Sequence, residues 1–102
     1  MDYQAIVMQL IINGGNARSK SMEAIHLAKT GQIGEARALL EKAGEDLAKA
    51  HEVQAQLIQD EAAGNHREVT LLMVHAQDHL MNAMTVKDLA LEMIDMYETI
   101  GR

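Results

Sequence analysis

The middle third of the chain, residues 32–63, reads QIGEARALLEKAGEDLAKAHEVQAQLIQDEAA and repeats an apolar or small side chain at steps of three and four. The repeating positions are Ile33, Ala36, Leu40, Ala43, Leu47, Ala50, Gln54 and Leu57, of which Gln54 is the one polar exception. Such steps place side chains on one face of an α-helix. The pattern predicts a helix from about Gln32 to Ala63, with Gly64 following as a C-terminal stop.

Two further segments with the same spacing flank this one, from about Asp2 to Lys29 and from about Glu68 to Ile100. The first presents Tyr3, Val7, Leu10, Gly14, Ala17, Ser21, Ala24 and Ala28. The third presents Val69, Leu72, Ala76, His79, Ala83, Val86, Ala90, Met93, Tyr97 and Ile100. Breaks fall at Thr30-Gly31 and Gly64-Asn65. We predict an all-α fold, an antiparallel three-helix bundle forming a single domain over residues 1–102.

The composition of the chain favours helices and excludes several functions. It has no Pro, Phe or Trp and only two Tyr, so its core is aliphatic, which suits close-packed helices. A net charge of -6 disfavours nucleic-acid binding and favours a basic protein partner. The absence of Cys removes thiolate nucleophiles and Cys-ligated zinc. No apolar stretch approaches the roughly 18 residues that span a bilayer, so we expect no membrane insertion and a cytoplasmic location.

The third segment carries more apolar surface than two neighbouring helices can cover. Beside its first stripe runs a second, which consists of Met73, Leu80, Met84, Leu91 and Ile94. A further apolar patch consists of Leu71, Val74 and Met81. We therefore expect this helix to pack against copies of itself in a symmetric oligomer.

Three ionisable side chains interrupt the apolar run VHAQDHLM at residues 74–81, namely His75, Asp78 and His79. Their spacing of i, i+3 and i+4 places them on one face of a helix. An unpaired buried ion costs roughly several kcal/mol, so a purely structural helix would carry Leu or Ala there. These residues are the first candidate for a functional site.

Several kinds of site can be compared with this spacing. A zincin needs Glu directly after the first His, and a di-iron bundle needs two Glu-x-x-His pairs, whereas this chain has only Glu23 with His26. The glycines at 14–15 lack the Lys-Ser/Thr ending of a phosphate loop. Imidazole remains as a nucleophile that accepts a phosphoryl group and passes it on.

A non-catalytic helical interaction module is the alternative from another class. It is suggested by Gly31–Ala36, which is similar to the turn of helical-hairpin repeats. A repeat array needs about three units, and the chain shows no second copy. Of the other His residues, we expect His26 on a solvated helix face and His66 in a loop, while His51 lies near Gln54, which we expect to bond a polar group on another helix.

Three stretches of the chain resemble a known family. HAQDHLM at 75–81, LIINGGNARS at 10–19 and AHEVQ at 50–54 closely resemble the lactose/cellobiose-type enzyme IIA of the bacterial sugar phosphotransferase system. The similarity extends over nearly the whole chain in the same order. It implies that His75 accepts a phosphoryl group on Nε2 from the phosphocarrier HPr and delivers it to a Cys of enzyme IIB. Sugar transport through enzyme IIC follows.

The same resemblance implies an assembly and a metal. Members of the family are homotrimers of three-helix subunits, which form a nine-helix assembly. Asp78 would bind a divalent cation shared by three subunits on the threefold axis, and the hard oxygen ligands favour structural Mg²⁺. No organic cofactor is expected.

Two further side chains, His79 and Gln77, lie close to His75 in the sequence. His79 either assists the phosphoryl group on His75 or is a core histidine paired with Gln54 or His51. Gln77, turned away from His75, is expected only as a contact to a neighbouring subunit. Ala76 and residues 15–19 are more similar to cellobiose or chitobiose members than to lactose members, which favours a β-linked disaccharide.

Overall fold

The chain forms three long α-helices in a computed structural model that describes residues 2–101. They are α1 at Tyr3–Lys29, α2 at Ile33–Ala62 and α3 at Leu71–Ile100. Met1 and Arg102, the two ends of the predicted domain, lie outside the described residues. All three pairs of helices pack together in a bundle of 54 × 20 × 19 Å. This confirms the all-α, three-helix prediction.

Contacts between helices give the directions of the chain. Tyr3 near the start of α1 donates a hydrogen bond to the carbonyl of Glu68, just before α3, so α1 and α3 run parallel. Lys20 in α1 pairs with Asp46 in α2 at 2.5 Å, across helices joined by a turn of three residues. The central helix α2 therefore runs antiparallel to the other two. Within residues 2–101, no helix has the length and apolarity needed to cross a membrane.

Local capping explains where the helices begin and end. Asp2 accepts a hydrogen bond from the Ala5 amide at 2.8 Å, and Thr70 accepts one from the Met73 amide at 3.1 Å. Gly64 has a φ of +93°, as expected for the predicted stop after α2. The third helix begins at Leu71, not at Glu68 as predicted, because the Thr70 cap sets its first turn.

The predicted apolar stripes of α1 and α2 form most of the core. From α1 the core takes Val7, Leu10, Gly14, Ala17, Ser21, Ala24, Ile25 and Ala28. From α2 it takes Ala36, Leu40, Ala43, Leu47, Ala50 and Gln54. Small residues dominate both faces, so the backbones approach closely.

The buried face of α3 differs from the predicted stripe. It consists of Met73, Ala76, Leu80, Ala83, Ala90 and Ile94, whereas Val69 and Ile100 are 72% and 75% exposed. The difference arises because fully buried Leu80 packs against Gly14, where a Cβ would lie 3.4 Å from the Leu80 Cα. Three members of the second stripe thus belong to the core of the subunit. Other large apolar side chains of α3 stay exposed, and the oligomer stays a prediction.

One cation ties the start of α2 to the end of α3. Arg37 pairs with Asp95 at 2.8 Å and with Glu98 at 3.2 Å. The hydrogen bond that Arg37 donates to Asp95, together with the negative charge of Glu98, raises the pKa of the Arg37 guanidinium above its ordinary value. This network lies far along α3 from the candidate site.

Candidate functional site

His75 lies in the second turn of α3 with its side chain exposed. The Thr70 cap fixes the start of the helix and thereby the direction in which His75 projects. Its neighbours Leu71 and Val74 are apolar and exposed, Leu71 at 86%. The imidazole is therefore accessible to a partner protein and has exposed apolar side chains beside it.

A second imidazole lies directly beside the first. The rings of His75 and His79 are stacked, with centroids 5.8 Å apart and planes inclined by 22°. His79 is half-buried between α3 and α1. We predicted a pairing of His79 with Gln54 or His51 as one of two alternatives. In the structure the His79 ring lies against Gly14 and Gly15 of α1, and Gln54 donates to another residue of α3.

Gln54 forms the polar contact across the bundle that its buried position predicted. Its Nε2 donates to Oε1 of Gln77 at 2.6 Å, and it also approaches the sulfur of Met81 at 3.7 Å. Gln77 is half-buried. Gln77 thus has a partner on α2 of its own subunit, and its contact to a neighbouring subunit stays a prediction.

Asp78 borders an apolar groove between α2 and α3. The groove, of about 540 Å³, is lined by Leu57, Ile58, Val74 and Met81, among others. The Asp78 side chain is exposed, and Asn82 Nδ2 lies 3.4 Å from its Oδ1. Its carboxylate is thus exposed to solvent at the edge of the apolar groove.

His79 borders a different groove, between α1 and α3, which we call the polar groove. Its other lining residues are Gly15, Arg18, Ser19, Met22, Glu23 and His26, and its volume is about 510 Å³. His26 is exposed, as predicted, but it shares this groove with His79. The sequence did not indicate that His26 and His79 line the same groove.

The three clustered residues therefore face in two directions. In an α-helix, i+3 lies about 60° to one side of residue i and i+4 about 40° to the other. Asp78 turns toward the apolar groove and His79 toward the polar groove. His75 lies on the ridge of α3 between the two grooves.

The sequence pattern of α1 could have predicted four of the residues that line the polar groove. Gly15, Arg18, Met22 and His26 each follow a buried position of α1 by one residue. Residues one step beyond a core stripe lie at its edge, where a neighbouring helix begins to cover them. The stripe of α1 thus predicts which of its side chains border α3.

Within one subunit, the described residues do not form a cluster of metal-binding side chains. In the range 2–101, no three His, Cys, Asp or Glu side chains are grouped so that they could hold a metal ion. Asp78 supplies one exposed carboxylate, which is a hard oxygen donor.

Comparison with known proteins matches nearly the whole chain. The model of the lactose/cellobiose specific IIA subunit of the PTS system matches residues 5–98. The lichenan-specific phosphotransferase enzyme IIA component of Bacillus subtilis is 59% identical over 99 residues, which cover 97% of this chain and 90% of that protein.

Two solved structures have the same fold. The crystal structure of the PTS cellobiose specific enzyme IIA from Bacillus anthracis superposes with a TM-score of 0.94 at 50% identity, covering 99% of this chain and 94% of that one. The IIA(chitobiose) in solution structures of its complex with HPr, from Escherichia coli, superposes with a TM-score of 0.86 at 37% identity, covering 100% and 99%.

Proposed function

This chain belongs to the lactose/cellobiose-specific IIA family of the sugar phosphotransferase system, and we propose that it carries phosphoryl groups on His75. In the first step, the Nε2 lone pair of neutral His75 attacks the phosphorus of phosphorylated HPr. The bond from phosphorus to the donor side chain breaks as the bond to Nε2 forms. In the second step, a Cys thiolate of enzyme IIB attacks the phosphorus and His75 is released.

The accessibility of His75 is the observation that supports this function. A carrier must be met in turn by two proteins, and its nucleophile must be exposed on a surface that both can cover. His75 meets this requirement on the ridge of α3. Phosphoryl transfer needs positioning and charge stabilisation more than a deep pocket, which suits a small helical protein.

We assign the assisting role to His79. Two observations support this role: Gln54 donates to Gln77, and the ring of His79 is stacked beside that of His75. A hydrogen bond from His79 would stabilise the charge of a phosphoryl group on its neighbour.

Exposed apolar side chains around His75 suit the docking of HPr. Leu71 and Leu72 are exposed about one turn from His75, whereas Val74 and Met81 line the groove bordered by Asp78, which the proposed trimer would cover. Protein interfaces bury apolar groups at their centre, so Leu71 and Leu72 are suited to contact HPr around the transfer site. The similarity to the IIA(chitobiose) of the HPr complex supports the same partner for this chain.

The proposed assembly is a homotrimer with Mg²⁺ shared by three copies of Asp78. Two carboxylates about 4 Å apart repel by about 4 kcal/mol at an effective dielectric of 20, so three together would oppose assembly. A cation with oxygen ligands relieves that repulsion. The cation would have a structural role, and sedimentation showing a monomer at micromolar concentration would contradict the trimer.

The proposed sugar is a β-linked disaccharide such as cellobiose or chitobiose. The names of similar proteins, lichenan-specific and cellobiose-specific, support this class. The sugar would be bound by the membrane component IIC and would not touch this chain.

Incubation with phosphorylated HPr followed by intact mass tests the carrier function. We expect the wild-type chain to gain one acid-labile phosphoryl group and His75→Gln to gain none. His66→Gln is the matched control, since His66 is exposed in the connection before α3. A wild-type chain that stays unmodified would contradict the carrier function and favour a non-catalytic interaction module.

A further inference from the structure

We propose that Gly15 is a positioning residue, which keeps the imidazole of His79 beside His75 by having no side chain of its own. The proposal rests on the carrier function assigned to His75. It adds a residue of another helix, with no reactive group, to the transfer site.

The distances between α1 and His79 carry this inference. A Cβ on Gly15 would lie 3.2 Å from His79 Nε2, and a Cβ on Gly14 would lie 3.4 Å from His79 Cδ2. Carbon atoms in favourable contact are about 3.5–4.0 Å apart. The Cδ2–Nε2 edge of the His79 ring therefore occupies the space that a side chain at position 15 would need.

The two glycines have different roles in this contact. Gly14 also faces the backbone of Leu80, so its lack of a side chain is explained by helix packing. At Gly15, the imidazole is the only group of the described residues outside α1 that a Cβ would meet within 4 Å. A glycine inside a helix makes the helix less stable than an alanine would. The space needed by the His79 ring explains why glycine suits position 15.

The other helical glycines show that this relation is specific. Gly34 in α2 has open space where its Cβ would be. A Cβ on Gly44 would meet only the flexible end of Lys87, at 3.7 Å and beyond. Alanine fits at both positions without moving an imidazole, so either supplies a control.

Alanine at position 15 would push the His79 ring away from α1. The contact at 3.2 Å requires a shift of a few tenths of an ångström. A misplacement of about 1 Å can lower a rate about 100-fold, so a shift of about 0.3–0.5 Å, scaled logarithmically, lowers it about 4- to 10-fold. We expect this loss in the rate at which His75 is phosphorylated.

A double-mutant cycle tests whether Gly15 acts through His79. The rate of phosphorylation by phospho-HPr is measured for wild type, Gly15→Ala, His79→Ala and the double variant, with Gly34→Ala as the control. We expect Gly15→Ala to lose about 4- to 10-fold and the control to keep the wild-type rate. In the His79→Ala background, Gly15→Ala should cause no further loss, because no ring remains to be displaced. An equal further loss there, or an unchanged rate in Gly15→Ala alone, would overturn the proposal.

A second measurement does not depend on phosphorylation. In the wild type, the Hδ2 proton of His79 should show a nuclear Overhauser effect to the Hα protons of Gly14, which should weaken in Gly15→Ala and persist in Gly34→Ala. If the wild type accepts no phosphoryl group, the carrier function fails, while this measurement still decides the position of the ring. An effect of wild-type strength in Gly15→Ala would then overturn the proposal.

Discussion

The hydrogen-bonded amides of Gln54 and Gln77 allow a sharp prediction about what holds α2 against α3. Gln54 is 9% exposed and donates to Gln77 at 2.6 Å, while Gln77 borders the open apolar groove. We consider three variants, Gln77→Met, Gln54→Met and the double variant. Methionine keeps the length of the side chain and removes the amide.

The expected magnitudes follow from which amide loses its partner. Gln77→Met leaves the buried amide of Gln54 without its acceptor, which should lower the free energy of unfolding by about 1–3 kcal/mol. Gln54→Met leaves Gln77 beside the open groove, where water can replace the bond, so the loss should be about 0.5–1.5 kcal/mol. Replacement of both partners by apolar groups of similar shape should leave stability within about 1 kcal/mol of wild type.

Urea unfolding followed by circular dichroism measures these differences. Protein concentration is kept constant, so that any association contributes equally to each variant. Gln56→Met is the control, because Gln56 is an exposed residue of α2 whose amide bonds only to Asp60 on the same helix. The reasoning is refuted if the double variant loses as much as the two single variants together.

Three further predictions concern packing and assembly. Leu80→Ala, at a fully buried position against α1, should lower the free energy of unfolding by about 2–5 kcal/mol, whereas Leu89→Ala, at a position 52% exposed, should cost below about 1 kcal/mol in the same urea assay. Gly44→Ala should raise the free energy of unfolding by about 0.5–1 kcal/mol, because alanine suits the helix interior and its Cβ would meet only Lys87. A loss of stability in the same assay would contradict this prediction. Asp78→Leu should remain a trimer in sedimentation with a chelator present, because it removes the repelling carboxylates, and a monomeric variant would contradict the shared cation.

The sequence predicts the buried faces of α1 and α2 well where small or polar residues border the apolar stripe. Ala17 lies between Asn16 and Arg18, and Leu47 lies between Asp46 and Ala48, so the buried face follows from the spacing there. The third helix has apolar residues on nearly every side, and spacing cannot choose among them. The burial of Leu80 in place of the predicted His79 depends on the room left by Gly14 in another helix, which is a tertiary property.

The candidate site was likewise only partly predictable. The spacing of His75, Asp78 and His79 predicted that they share one helix face. They do lie on adjacent turns of α3, but Asp78 and His79 border different grooves. Their division between two grooves depends on where α1 and α2 lie beside α3. The contact between His79 and Gly15 was hidden for the same reason, although two adjacent glycines inside a long helix were a local sign of a close neighbour.

The central claim is that His75 carries the phosphoryl group on Nε2. Phosphorus-31 and nitrogen-15 NMR of the phosphorylated, isotope-labelled chain tests it most directly, through the coupling between phosphorus and the nitrogen to which it is bonded. We predict one phosphorus signal, coupled to Nε2 of His75 and lost when enzyme IIB is added. A signal coupled to His79 or to another histidine, or one that persists with enzyme IIB, would contradict the account.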